Sequence, residues 1–350
     1  MADRNAVAVL LGETVHPRPS AFNGLALVGP LISTAGHLTA VNRKDNPGMA
    51  ETQLANLVQM ESPEAVLDEA ITVVARFSPD TDPLAIRYAF NQTVSLYQGE
   101  WEDTNGCNTD YHNLKHVTDC FLAMVRLLHG AAETGIHFSP RQVHQGLVAA
   151  LLHDAGYLQN SEDTNGTGAK YTFSHVRRGM DFVQRHFALF GLQEKETHPC
   201  MAMIHCTDLN CDLTSVPFPD KTTERIGKML ATADILAQMA DRTYLEKLLF
   251  LFYELDEARI DDYCDELDLL NQSTDFYIRM ADRFETHLGA SNRFMVLHFK
   301  DRWNIDEDLY QRAIDNQQTY LTKILAGTGK DPRDRLRRGR IVEAVKLKYA

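Results

Sequence analysis

An all-α, multi-helix bundle is the fold this sequence predicts, on three observations. Apolar residues recur at helical spacing in long stretches, as in Ile226, Met229, Leu230, Ala233, Leu236, Ala237 and Ala240. Helix starts carry a capping residue followed by proline, at Ser62-Pro63, Asp82-Pro83 and Ser139-Pro140. After residue 60 no stretch alternates apolar and polar residues as a half-buried strand does.

Taken in order, residues 1–55 carry scattered Gly, Pro, Asn and Ser without sustained periodicity. Brief β-leaning runs at Ala6–Leu11 and Leu25–Val28 stand against the expectation of a weakly structured extension. The apolar run Val7–Leu11 is too short for a signal peptide, and no run approaches the length of a membrane span. A helical domain is predicted over 56–328. Its first two helices open at Ser62 and Asp82 and end near Phe77 and Gln98. A Gly/Asn/Asp/Thr-rich link, Gly99–Asp110, then leads into Tyr111-His-Asn-Leu-Lys-His-Val-Thr-Asp119. Read as helix, this puts His112 and His116 on one face with Asp119 three residues on, beside a stripe of Leu114, Val117, Phe121, Val125 and Leu128.

Ser139-Pro-Arg-Gln142 matches a capping box and opens a helix that reaches His153-Asp154, with Gly156 as its stop. The loop 160–170 contains Gly-Thr-Gly-Ala-Lys, which lacks the spacing and ending of a phosphate loop and reads as a rim loop. Ser174 caps the next helix, another runs from about Gln193 to His205, and more follow to about Leu325; no internal repeat is expected. Residues 329–350 form a basic tail. From Lys330 to Ala350 eight Lys/Arg face three Asp/Glu, against a net charge of −13 for the whole chain. Such a tail can bind an anionic partner, but pairing with the chain's own acidic body is the favoured reading.

The acidic balance argues against nucleic acid as the main partner. The six cysteines, at 107, 120, 200, 206, 211 and 264, show no metal or disulfide spacing, which fits free thiols in the cytoplasm.

Two positions carry a physical puzzle. His153-Asp154 ends the apolar run Leu147–Leu152, where adjacent ionisable side chains are costly to bury unpaired. Asp234 lies inside Leu230-Ala-Thr-Ala-Asp-Ile-Leu236, beside a core stripe. A cation relieves both, since neutral imidazole and carboxylate bind it together; a helix-edge acid paired with Arg or Lys is the plainer alternative for Asp234.

The order His116, His153-Asp154, Asp234, with His112 ahead of it, resembles the HD-domain metal-dependent phosphohydrolase superfamily. Tyr-His-Asn-x-x-His-x-x-Asp is similar to the signature of cyclic-nucleotide phosphodiesterase catalytic domains. The resemblance implies His116, His153, Asp154 and Asp234 as ligands of a first metal, with Asp154 bridging to a second, more hydrated one. It implies His112 as proton donor to the leaving oxygen. Mixed imidazole and carboxylate ligands suit Zn, Mn, Fe or Co at the first site, and Mg or Mn suits the second. Asp119 is either a partner that orients a histidine or a solvated helix acid.

His175 and His205 are further candidates for the second metal, or else core and capping histidines. With both, the order also resembles the di-iron oxygenases of the superfamily. Arg177 and Arg178 beside His175 are candidates to meet a phosphate, with surface placement the default. Gln272 and Phe276 are loosely similar to the family's purine-reading glutamine and aromatic. Ala155-Gly156-Tyr157-Leu158 stands where the family has a histidine and an asparagine.

The function expected is hydrolysis of a small phosphodiester, a cyclic nucleotide or other nucleotide phosphoester. The rivals are an oxygenase, or a catalytically silent nucleotide-binding module. A homodimer is compatible with the sequence.

Overall fold

The computed structural model describes residues 52–327 and 331–349. The expectation for the N-terminal extension lies outside the described residues up to position 51; Leu54–Asn56 forms one 3-10 turn. The described residues hold twelve α-helices and no strand beyond a single bridge between Thr104 and Asn160. None of these helices is long and apolar enough to cross a membrane.

Local chemistry sets the helix starts. Helix α1 (Pro63–Phe77) begins where the Ser62 hydroxyl accepts from Ala65 N, and α2 (Pro83–Gln98) where Asp82 accepts from Leu84 N. The first turn leaves backbone donors without partners, and these side chains supply acceptors. Helix α3 (Leu114–Ala132) is capped by Asn113, and α4 (Pro140–Leu152) by the full Ser139/Gln142 box. Helices α5 (His175–His186), α6 (Glu194–His205) and α7 (Lys221–Met239) follow. Then come α8 (Tyr244–Glu257), α9 (Glu266–Thr286), α10 (Phe294–Trp303), α11 (Leu309–Ala326) and α12 (Ile341–Tyr349).

Helix α3 is the axis of the fold. It packs against α1, α4, α7 and α10. Every residue from His116 to Ala131 is buried, so this is no amphipathic helix with one stripe inward. A helix surrounded on all sides needs apolar residues all round, and Val117–Leu128 supplies them save for Thr118, Asp119 and Arg126. The polar residues at its N-terminal end therefore sit at a buried junction of α3, α4 and α7.

The sequence does contain a short repeat. Glu102–Gly106 and Glu162–Gly166 are the same pentapeptide, Glu-Asp-Thr-Asn-Gly. The two loops lie against each other: Asn105 N donates to Gln159 O and Ser161 N to Asp103 O, while the Asn105 amide reaches Asn160 O and Asp163 O. This pairing ties the loop before α3 to the loop after α4. The basic tail folds onto the body as a 3-10 turn and α12, with Arg333 on Glu266 and Lys348 on Asp110. All six cysteines are free thiols.

Candidate metal centre

Three separated stretches bring their polar side chains to one point. His116 comes from the first turn of α3, His153 and Asp154 from the end of α4, and Asp234 from the middle of α7. His116 Nε2 lies 3.2 Å from His153 Nε2, 3.1 Å from Asp234 Oδ1 and 3.3 Å from Asp154 Oδ2. His153 Nε2 is 3.4 Å from Asp154 Oδ2 and 3.6 Å from Asp234 Oδ1. Ligand atoms of His116, His153 and Asp234 all lie within 4.8 Å of one another, a spacing one cation can bridge.

The residues fit a cation on two further counts. His153 Nδ1 lies 2.9 Å from the Ala150 carbonyl, so that nitrogen carries the hydrogen and Nε2 presents its lone pair to the cluster. Asp154 Oδ2 is buried without a hydrogen-bond partner, an arrangement that costs free energy unless something positive meets it. Burial opposes charge on His116 and His153, yet the Asp154 and Asp234 carboxylates outweigh it and raise both imidazoles above their ordinary pKa. Burial likewise opposes ionisation of Asp154 and Asp234, and the facing histidines overcome it to hold both carboxyls low. The cluster thus demands positive charge, which protons or a metal can supply in competition.

Around it, Gln238 donates from Nε2 to Asp234 Oδ1 at 2.8 Å and accepts from the Tyr111 hydroxyl at 3.0 Å, fixing the carboxylate. His175, at the start of α5, bonds the Thr172 carbonyl through Nδ1 at 2.6 Å, and its Nε2 stands 3.9 Å from Asp154 Oδ1. That oxygen faces away from His116 and His153, whose contacts are with Oδ2, so His175 is the imidazole placed beside it. His205 ends α6 and belongs to no metal-capable group among the described residues. The grouping of His116, His153 and Asp234 takes in neither His175 nor His205, so the six-residue set that resembles di-iron oxygenases gains no support from it.

His112 is placed differently from the helical reading. Helix α3 starts at Leu114, because Asn113 takes the cap position and accepts from His116 N. His112 thus sits in the preceding turn, with its ring centroid 6.2 Å from that of His116. Its Nδ1 lies 2.7 Å from Glu254 Oε2, and the other Glu254 oxygen accepts from Tyr111 N. Tyr157 is stacked between His112 (4.3 Å) and His175 (4.5 Å), its hydroxyl 3.5 Å from His112 Nε2.

Several side chains play other parts than the sequence suggested. Asp119 is neither solvated nor bound to a histidine: it is buried, with one oxygen on Lys115 Nζ at 2.5 Å and the other without a partner. Arg178 meets no open phosphate site, since it donates to Gly156 O and Leu158 O, each at 2.7 Å; Arg177 is exposed. Gln272 bonds Asp268 within α9 and Phe276 lies under the Arg279 guanidinium, and neither interaction reaches the cluster. Gly156 is not a left-handed cap but part of a 3-10 turn pressed against α5.

Glu254 was missed from the sequence, although an acid in the run Leu248–Leu255 carries the same signal as Asp234. Tyr157 and Gln238 gave no local signal. A further group, His129, Glu133 and Asp301, is also close enough for a metal, but Arg76 already bonds Asp301 at 2.5 Å.

A family model described as Npun_R2479-like matches residues 160–288. That stretch holds His175, His205, Asp234 and Glu254, and leaves out Tyr111–Asp119 and His153-Asp154. No curated protein and no solved structure matches the chain.

Proposed function

We propose that the chain is an HD-type metal-dependent phosphohydrolase acting on a small phosphodiester. The observation that carries this reading is the convergence of His116, His153, Asp154 and Asp234, with Asp154 Oδ2 buried without a hydrogen bond and facing both imidazoles. Those four residues would hold the first cation, and Asp154 Oδ1 with His175 would face a second.

A divalent cation bound there supplies a water of lowered pKa and positive charge to offset that developing on the phosphoryl oxygens. The chain's own groups do the rest. Ala150 O holds the His153 tautomer, and Gln238 fixes Asp234. Glu254 holds His112 by Nδ1, which leaves Nε2 as the atom that hands a proton to the leaving oxygen. The Glu254 carboxylate also balances the ring's charge when Nε2 carries that proton. Tyr157, pressed on the same ring, limits its rotation.

The test is metal analysis of the purified chain, followed by bis(p-nitrophenyl) phosphate and cyclic nucleotides offered with Mn, Mg, Zn or Fe. His153→Ala should lose both metal and turnover. His112→Ala should keep the first metal and lose about 10²-fold or more in turnover, the usual contribution of a general acid. Turnover retained in His112→Ala rules out its acid role.

A further inference from the structure

His153, Asp154, His116 and Asp234 are only 1%, 3%, 5% and 8% exposed, so access to the cluster is narrow and an element that moves aside would widen it. The C-terminal helix α12 has the attachments such an element needs. It packs on α8 through Ile341, Val342 and Val345, a narrow apolar strip for nine ordered residues. Its far end is a clasp. The Tyr349 ring lies flat on Tyr253 at 3.9 Å and 2°. The Tyr349 hydroxyl donates to Asp110 Oδ2 at 3.0 Å, and Lys348 Nζ reaches the same oxygen at 2.6 Å.

The two points grasped are telling. Asp110 immediately precedes Tyr111-His112, and Tyr253 immediately precedes Glu254. One short helix therefore bridges both segments that set the His112–Glu254 pair.

The near end has a hinge. Gly339 (φ 68°) and Arg340 (φ 54°) are consecutive left-handed residues, and they turn the chain sharply into α12. Before this bend the chain is well fastened: Arg333 pairs with Glu266, and Arg338 N and the Tyr320 hydroxyl both donate to Glu246 Oε1. After it, the polar hold is the clasp, whose Lys348–Asp110 pair is open to solvent and so screened by salt.

The geometry points to an autoinhibitory strap: α12, clasped to Asp110 by Lys348 and Tyr349, holds the His112–Glu254 edge of the site closed, and its release opens the way in. What is gated rests on the phosphohydrolase reading; the clasp itself does not.

The experiment compares the full chain with two full-length variants, Lys348→Ala/Tyr349→Ala, which removes the clasp, and Val345→Asp, which is aimed at the buried strip of the helix. In metal-free protein, diethylpyrocarbonate modification of His112 is followed by peptide mass spectrometry, with exposed His137 as the internal reference. Loss of a stacked ring pair and an exposed ion pair should speed His112 modification about tenfold relative to His137. In metal-loaded protein, kcat/KM for bis(p-nitrophenyl) phosphate should rise in parallel. His112 modified at the native rate in both variants overturns the strap, whatever the turnover. His112 uncovered with no metal-dependent turnover in any form supports the strap and removes the phosphohydrolase reading.

Discussion

Substituting Gly156 by alanine tests how tightly the turn after His153-Asp154 must sit on α5. A Cβ added at Gly156 would lie 1.8 Å from His175 O, 2.6 Å from His175 C and 2.8 Å from Gly179 N. All three are backbone atoms, so no side chain can rotate away. Against an ordinary contact of 3.4 Å the deficit is about 1.6 Å, which the turn and the first turn of α5 must absorb by separating. Arg178 resists this, because it is anchored on α5 and bonds Gly156 O and Leu158 O. Overpacking of this kind costs about 1–3 kcal/mol, and with backbone on both sides the upper end applies. The separation also pulls His175 from Asp154, and a misplacement of about 1 Å at a reacting centre costs on the order of 10²-fold in rate. Gly179→Ala is the graded control. Its Cβ would stand 3.1 Å from His153 O, a gap closed by a few tenths of an ångström, and alanine's helix preference offsets the strain to within about 1 kcal/mol. Urea unfolding and turnover are measured for both. Native stability and native turnover in Gly156→Ala would refute the close packing on which the position of Asp154 depends.

Three further outcomes follow from the same geometry. Glu254→Gln should leave metal content unchanged and lower turnover about 10²-fold, since the amide cannot balance charge on His112; loss of metal instead would contradict its place outside the cluster. His175→Ala should lower the number of ions bound per chain while His205→Ala leaves it alone, read by elemental analysis after loading. Burial pushes the Asp119 carboxyl up from 3.8 to about 6, against the opposing pull of Lys115. The folded chain therefore holds this proton longer than the unfolded one, and the native protein loses stability as pH rises from about 4 to about 6. Asp119→Asn removes that slope, so its stability in urea unfolding should stay level between about pH 4 and pH 6 where the native chain's falls. Parallel pH–stability curves for the two proteins would contradict it.

Signals confined to a few neighbouring residues were legible in the sequence. The starts at Ser62-Pro63, Asp82-Pro83 and Ser139-Pro140 agree with the structure because a cap acts within one turn. His153-Asp154 and Asp234 were legible by another route: an acid or a histidine in an apolar helix must find a partner, and these find each other, while His116 was singled out by the resemblance. Glu254 obeys the same rule, and its partner, His112, is 142 residues away.

The errors are instructive too. Spacing of four between His112 and His116 suits a helix, but Asn113 between them is a better cap than a helical residue, and it wins. Glycine serves a left-handed cap and a close backbone approach equally well, so Gly156 could not be assigned from sequence. The positions of His205, Gln272 and Phe276 depend on which way α6 and α9 face, which tertiary packing decides.

The most direct measurement is titration of metal-stripped chain with Mn or Zn by calorimetry, beside Asp234→Ala and His153→Ala. The native chain should take up at least one ion tightly and release protons as it binds, and both variants should lose that tight site. A native chain that binds no ion, or variants that bind as it does, would show that these side chains serve the buried junction of α3, α4 and α7 and no hydrolytic centre.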